Sequence, residues 1–224
     1  MTLDNDDLLN SILASLERID NIKLDELPNI DLYMDQLTTF MDGRLRKTTR
    51  YPDDDKILTK TMINNYAKND LLPPPIRKKY SRDHVILLLF IYYYKSVLSI
   101  NDIQTLIEPL NSKFHISEEG NITLSDVYKE IYEMEEEHLE SFRDDIIKNF
   151  EKSQTTFEDA AESEKEKLQM FSFISLLSYD IFLKKLIIEK MLDNYAAKNK
   201  TAEELKKAEK KHKEKKKDKN SSKE

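Results

Sequence analysis

The chain has 224 residues, of which 39% are hydrophobic and 35% are charged, with two glycines, no cysteine and a formal net charge of −7. Two glycines cannot supply a phosphate-binding loop or a dinucleotide fingerprint, because both need several glycines at fixed offsets. The lack of cysteine excludes disulfides, thiolate metal sites and a cysteine nucleophile, and it fits a cytoplasmic location. A composition rich in Leu, Lys, Glu, Asp and Ile favours a mainly all-α fold.

The charge is unevenly distributed along the chain. Residues 44–82 carry 11 basic and 4 acidic side chains, whereas residues 1–43 and 83–199 are acidic. A single basic segment within an acidic folded body indicates that this segment binds a polyanion.

The first 58 residues predict two helices and a loop. Residues 1–24 contain a capping Asp-rich start and apolar residues at helical spacing, and we predict a separate N-terminal helix there. A second amphipathic helix is predicted from Asp31 to Leu45. Residues 47–56, with Pro52 and three successive aspartates, predict a loop that is longer than usual between helices.

A short polar helix follows, with Thr59 as its N-cap and its end near Asn69. Three prolines, Pro73–Pro75, exclude a helix and force an extended connection. The next residues, Ile76–Tyr80, predict a short exposed strand or hairpin arm.

Four further helix starts are predicted from capping residues. Ser81 precedes a strongly apolar helix, and Ser99 with Asp102 starts a helix that ends near Leu110. Thr123 with Asp126 starts a helix to about Phe150, and Thr156 with Asp159 starts a long one.

We expect the Lys-rich tail, residues 200–224, to be disordered or a solvated helix. No apolar run reaches the roughly 20 residues that a membrane span needs, so no membrane segment is predicted.

The short polar helix and the arm after it carry the chemistry of a DNA-binding surface. Side chains that read base edges must be polar and long, with cations nearby for phosphates. The candidate DNA-binding residues are Lys60, Thr61, Asn64, Asn65, Tyr66, Lys68, Arg77, Lys78, Lys79 and Tyr80. For Tyr66 and Tyr80, a place in the hydrophobic core is an equally good interpretation.

The order of these elements resembles the MerR superfamily of bacterial regulators, whose reading helix has the pattern T-L-R-Y-Y-E-x-x-G-L-L, followed by prolines and a wing ending R-x-Y-S. Here the corresponding residues are Met62–Leu72, Pro73–Pro75 and Lys78–Ser81. The resemblance is closest to uncharacterised MerR-like proteins of low-GC Gram-positive bacteria, catalogued as a domain of unknown function. It implies a winged helix-turn-helix over residues 25–112, in which Tyr66, Lys78 and Tyr80 match the family's positions.

Three positions depart from that pattern. Asn64 replaces the helix arginine, Asn65 replaces the first tyrosine and Asp70 replaces the turn glycine. The operator sequence therefore cannot be taken from the superfamily.

Two alternatives to DNA binding come from other classes of protein. One is an α-helical interaction protein that uses the helix-turn-helix only as a scaffold, and the other is an adaptor that binds a regulator through its acidic C-terminal helices. A metal site is not predicted, because Glu135-x-x-His138 is only half of a carboxylate-bridged motif and its second copy, Glu209-x-x-His212, lies in the tail. No nucleophile–base arrangement indicates an enzyme.

We therefore predict a non-enzymatic, cytoplasmic transcription regulator that binds double-stranded DNA as a homodimer. Residues 113–199 are expected to form a helical dimerisation or sensing module, because MerR-like proteins pair through C-terminal helices and read two-fold operators. No cofactor is expected, and a small-molecule effector is left open.

Overall fold

The computed structural model describes residues 5–16, 22–110 and 122–221, with side chains described for residues 7–16, 22–110 and 122–199. The chain divides into two compact units, Met1–Phe182 and Leu183–Glu224. The described residues are mainly helical and carry one small two-stranded sheet, which confirms the predicted all-α class. Residues 1–4, which include the first aspartate of the predicted cap of the first helix, lie outside the described residues.

The elements follow one another in this order. They are α1 (Asn5–Leu16), β1 (Leu32–Tyr33), α2 (Met34–Leu45), α3 (Lys60–Lys68), β2 (Lys79–Tyr80), α4 (Arg82–Tyr94), α5 (Ile100–Ile107), α6 (Leu124–Gln154) and α7 (Glu162–Ser221). Single 3₁₀ turns lie at Leu24–Glu26, Arg46–Thr48 and Glu108–Leu110.

Most helix starts follow the predicted caps. The hydroxyls of Thr59, Ser99 and Thr123 each accept a hydrogen bond from a backbone N–H three residues later. At α4, the Ser81 N–H donates to Nδ1 of His84 at 3.0 Å. These bonds satisfy backbone groups that the first turn of a helix leaves without a partner.

Two predicted helix starts are wrong. Helix α2 begins at Met34 rather than Asp31, because Leu32–Tyr33 is a strand that pairs antiparallel with Tyr80 and Lys79. Helix α7 begins at Glu162 rather than Thr156, because Phe157 has a φ of 56°, which a right-handed helix cannot contain. The hydroxyl of Thr156 instead donates to the Ser153 carbonyl at 2.7 Å.

Helix α4 is the centre of the first hydrophobic core. Every residue from His84 to Ile91 is buried, so this helix is covered on all sides by its neighbours. It contacts β2, α5 and α6. The largest fully buried side chains around it are Leu37, Met41, Leu45, Ile63, Leu71, Leu72 and Ile103.

The first turns of α6 complete this core. Leu124 and Tyr128 are buried, and the Tyr128 ring lies 5.8 Å from the ring of Phe90. The Tyr128 hydroxyl donates to the Ile22 carbonyl at 2.6 Å, and burial raises the pKa of this phenol. The start of α6 therefore packs onto the same hydrophobic core as the segment that begins at Ile22.

A second, smaller core lies at the other end of α6. Ile146, Phe150 and Phe173 form its buried centre, with the Phe150 and Phe173 rings 5.4 Å apart and nearly perpendicular. Partly buried apolar residues of α1, α6 and α7 surround it, namely Leu9, Ile12, Leu13, Phe142 and Leu177. Helix α1 thus packs against the C-terminal helices and contributes to this second core.

Many apolar side chains of α7, beside and beyond this second core, are exposed. Within the first unit, Phe171, Phe182 and Ile181 are 65%, 57% and 61% exposed. In the second unit, Leu186, Ile187 and Met191 are also exposed, and the backbone stays helical through Ser221. Among the described residues, no helix is long and apolar enough to cross a membrane.

Candidate nucleic-acid interface

Helix α3 turns an apolar side inward and a polar side outward. Ile63 is fully buried, and Met62 and Tyr66 are partly buried. The exposed side chains of this helix are Lys60, Thr61, Asn64, Asn65 and Lys68. All the polar residues that the sequence assigned to the reading helix are therefore accessible from outside.

The end of α3 explains one departure from the MerR pattern. Asp70 stands where the superfamily has glycine, and its φ of 55° is the left-handed conformation that glycine usually supplies after a helix. Asp is one of the few residue types that tolerate this conformation. The N–H groups of Leu71 and Leu72 both donate to the Tyr66 carbonyl, so the turn is closed without glycine.

The predicted arm is a tight hairpin turn. Ile76 and Lys79 exchange two backbone hydrogen bonds of 3.0 and 2.9 Å, and Arg77 and Lys78 lie between them. Both have positive φ, 52° and 64°, which is the geometry of a type I′ turn, where Asn-Gly is preferred. Two exposed cations thus occupy positions where their side chains strain the backbone.

Helix α3 and the hairpin meet at the start of α2. The ammonium group of Lys60 forms an ion pair with Asp35, and the Lys79 ammonium lies 5.2 Å from the centre of the Tyr33 ring. Tyr33 and Asp35 are two residues apart, so the first turn of α2 joins the polar helix and the cationic turn into one surface. We call this surface, formed by α3, residues 76–80 and residues 33–35, the α3–hairpin surface.

Two of the residues predicted from the sequence to bind DNA, Tyr66 and Tyr80, are less exposed than the polar residues of this surface. The Tyr80 ring is 3% exposed and packs edge-on against His84 at 5.4 Å, and burial raises the pKa of its hydroxyl. Tyr66 is half-buried, and burial raises its pKa as well. Tyr80 therefore belongs to the core and supports the hairpin from inside, whereas Tyr66 lies partly in the core and partly at the surface.

The structure adds Tyr33, which sequence reasoning missed because residues 31–33 were predicted to be helical. This side chain is 53% exposed beneath Lys79. Other cations of the basic segment are engaged within the chain, since Arg44 pairs with Glu26 and Arg46 pairs with Asp42. Arg44 links α2 to the 3₁₀ turn at Leu24–Glu26, whereas Arg46 pairs within the last turn of α2, and this pairing lowers the pKa of the Asp42 carboxyl.

Across the described ranges, no group of three or more His, Asp or Glu side chains is placed to hold a metal ion. Glu135 and His138 are exposed on α6, and Nδ1 of His138 faces the Ser141 hydroxyl at 3.4 Å. The side chains of Glu209 and His212 lie outside the described residues.

Residues 22–131 match the family model described as Domain of unknown function (DUF1836). No curated protein and no solved structure matches the chain. The matched segment extends beyond the predicted limit of residue 112, and the structure gives the reason, because Leu124 and Tyr128 of α6 complete the first core. This segment is therefore similar to an uncharacterised family, and these comparisons give no support to the MerR resemblance, which stays a prediction.

Proposed function

We propose that this chain, whose residues 22–131 match the DUF1836 model, is a regulator that binds double-stranded DNA through the α3–hairpin surface. The observation that carries the proposal is the joining of an exposed polar helix and an exposed cationic turn at the first turn of α2. On this interpretation residues 25–112 work as a MerR-like winged helix-turn-helix, with α3 as the reading helix and residues 76–80 as the wing.

The side chains of α3 fit base recognition in a major groove. Asn64 and Asn65 are exposed, and an asparagine amide pairs with adenine through two hydrogen bonds. Lys68 at the end of the helix suits guanine or a phosphate. The ion pair of Lys60 with Asp35 is largely solvent-exposed, so little free energy is lost when Lys60 exchanges that carboxylate for a phosphate.

The strained turn supports a functional role for its cations. A non-glycine residue in the left-handed region costs about 1–3 kcal/mol. Asn-Gly at Arg77-Lys78 would avoid this cost, so the sequence keeps two cations at the expense of stability. A phosphate backbone passing the hairpin is a ligand that would use both.

The chain would bind DNA as a dimer. The exposed apolar side chains of α7, such as Phe171 and Phe182, are candidates for burial against a second copy. Two copies would present two α3 helices, which suits a two-fold operator. The alternative, a protein-interaction scaffold, would use the same apolar side chains for a different partner and would leave the α3–hairpin surface without DNA.

Binding to a labelled duplex, measured by anisotropy across a salt series, tests the proposal. Because each phosphate contact releases counterions, affinity is expected to fall steeply with salt. The double substitution Lys78→Ala with Lys79→Ala should reduce the slope of log K against log salt by about 2. Lys129→Ala, an exposed lysine of α6, is the matched control and should leave the slope unchanged.

Sequence selection from a random duplex pool supplies the specific site for a second arm. Asn64→Ala or Asn65→Ala should weaken binding to the selected site by about 1–3 kcal/mol per base contact and leave non-specific binding unchanged. Asn101→Ala, an exposed asparagine of α5, controls for the loss of an amide. If the wild-type chain shows no salt-sensitive binding to any duplex, the scaffold alternative replaces this proposal.

A further inference from the structure

A cavity of about 670 Å³ opens beside the end of α4, and none of its lining residues belongs to the α3–hairpin surface. Small-molecule sites in proteins have volumes of about 300–1,000 Å³. Its walls come from the loop before α3, from the C-terminal end of α4 and from α6. The residues that decide its chemistry are Thr48, Ile57, Tyr92, Tyr93, Lys95 and Glu135.

Lys95 brings a half-buried positive charge to this cavity. Its ammonium donates to the Ile57 carbonyl at 2.9 Å and lies 4.8 Å from the centre of the Tyr92 ring. Burial lowers the pKa of Lys95, and within the described part of the chain it takes part in no ion pair. An ammonium has three N–H donors, so this group can accept an anionic partner without losing the Ile57 bond.

Aromatic rings form the apolar part of the cavity. The rings of Tyr92 and Tyr93 are 5.4 Å apart and meet edge to face. The Tyr92 hydroxyl shares a 2.7 Å hydrogen bond with Thr48, which fixes that ring in place. A flat apolar group placed here would exchange water for contact with ring faces and with the side chain of Ile57.

The carboxylates of the cavity are already engaged within the chain. Asp55 accepts the Tyr51 N–H at 3.0 Å and so closes the loop before α3. Glu135, whose side chain is largely exposed along α6, also interacts within the chain, and partial loss of solvent beside the cavity raises the pKa of its carboxyl. These interactions do not remove the charges of the two carboxylates, and Lys56 lines the cavity as a second cation, so the formal charges of the lining balance. Lys95 is the cation that lies against an aromatic ring of the cavity, and it is therefore the group that a flat ligand with a negative charge would pair with.

We propose that this cavity binds a small organic carboxylate with a flat apolar body. The carboxylate would pair with Lys95, and the body would lie against Tyr92 and Tyr93. The cavity shares no lining residue with the α3–hairpin surface, so ligand binding does not require that the chain binds DNA.

The position of the cavity also indicates what a bound carboxylate would change. Its loop wall ends at the buried residue Ile57, two positions before Thr59, the N-cap of α3. A ligand that fixes this loop fixes the start of α3. A change in DNA affinity on ligand binding is thus expected, and this second step rests on the proposed function.

The lack of tryptophan in the chain makes an indole probe suitable, because the protein gives no indole fluorescence of its own. Fluorescence anisotropy of indole-3-acetate would be titrated with the full chain, beside indole-3-acetamide as its uncharged match and tryptamine as a cation. We expect indole-3-acetate to bind at least about tenfold more tightly than either match, since removal of one charge-assisted hydrogen bond costs about 1.5–3 kcal/mol.

Lys95→Met keeps the apolar stem, removes the charge and should abolish the preference for indole-3-acetate. Lys148→Met, an exposed lysine of α6, is the matched control and should bind like the wild type. If Lys95→Met melts early, Ser96→Phe fills the cavity from an exposed position and should remove binding with the fold intact.

Equal affinity for the acid and the amide, or unchanged binding in both variants, overturns the carboxylate site. No rise in the anisotropy of indole-3-acetate when the chain is titrated to millimolar concentration overturns it too. The two proposals are separated by measuring duplex binding with and without saturating indole-3-acetate. A chain that binds the ligand but no duplex would contradict only the proposed function.

Discussion

The two hydrophobic cores of this chain differ in how completely they are covered. Around α4, Ile86, Leu88 and Ile91 have no exposed surface, and the helix is surrounded by other elements of residues 22–131. Around Phe150 and Phe173 the core is small, and the neighbouring Phe171 is 65% exposed. The segment that matches the family model therefore contains what its own core needs, whereas α7 offers apolar surface that the rest of the first unit leaves uncovered.

The strongest test of this difference compares the same kind of truncation in both places. Leu88→Ala should lower the free energy of unfolding by about 2–5 kcal/mol, because it leaves a cavity in a fully packed core. Phe171→Ala, at an exposed position, should change the stability of the monomer by at most about 0.5 kcal/mol. Urea denaturation at low protein concentration measures both, and a similar loss in the two variants would contradict the contrast.

The uncovered surface itself can be tested through the oligomeric state. Light scattering after size exclusion should give the wild-type chain a mass of two 26.5 kDa copies at micromolar concentration. Phe171→Asp with Phe182→Asp should return it to one copy, because two carboxylates cannot be buried without partners. Lys167→Glu changes an exposed polar residue of the same helix and should stay dimeric. A monomeric wild type would exclude the dimer.

The smallest expected effect concerns the hairpin. Arg77→Asn with Lys78→Gly should raise the free energy of unfolding by about 1–2 kcal/mol, since Asn-Gly suits a type I′ turn. The same double substitution should weaken DNA binding. Lys78→Ala removes the charge and keeps a Cβ at positive φ, so it should weaken DNA binding without the gain in stability. Thermal melts beside the salt series separate strain from charge, and a destabilised Asn-Gly variant would be against the role of strain.

Local chemistry made much of the fold predictable. Thr59, Ser99 and Thr123 mark helix starts because each hydroxyl accepts a hydrogen bond from a backbone N–H three residues later. This bond is local, so it can be predicted without knowing the rest of the fold. The polar and apolar sides of α3 follow the same logic, since Ile63 and its neighbours recur at helical spacing. The exposed residues of α3 in the candidate interface could therefore be predicted from the sequence.

Features that depend on distant partners were not predictable. Strand β1 has two residues and exists because Leu32 pairs with Tyr80, 48 positions away. Phe157 gives no local signal for positive φ, so the start of α7 was misplaced. The cavity was missed for the same reason, because Thr48, Lys95 and Glu135 become neighbours only when three separate segments fold together.

Helix α6 has one further consequence, which concerns the length of the chain. It starts against Phe90 and ends against Phe173 as a single helix of 31 residues, about 46 Å long, and residues 133–138 in its middle are exposed. An insertion of one residue there would turn one core about the helix axis by roughly 100° relative to the other, whereas seven residues would restore the rotational phase to within about 20°. Length changes in α6 among related chains should thus be accepted in heptad-like steps, because this helix sets the angle between the core of the segment that matches the family model and the core beyond it.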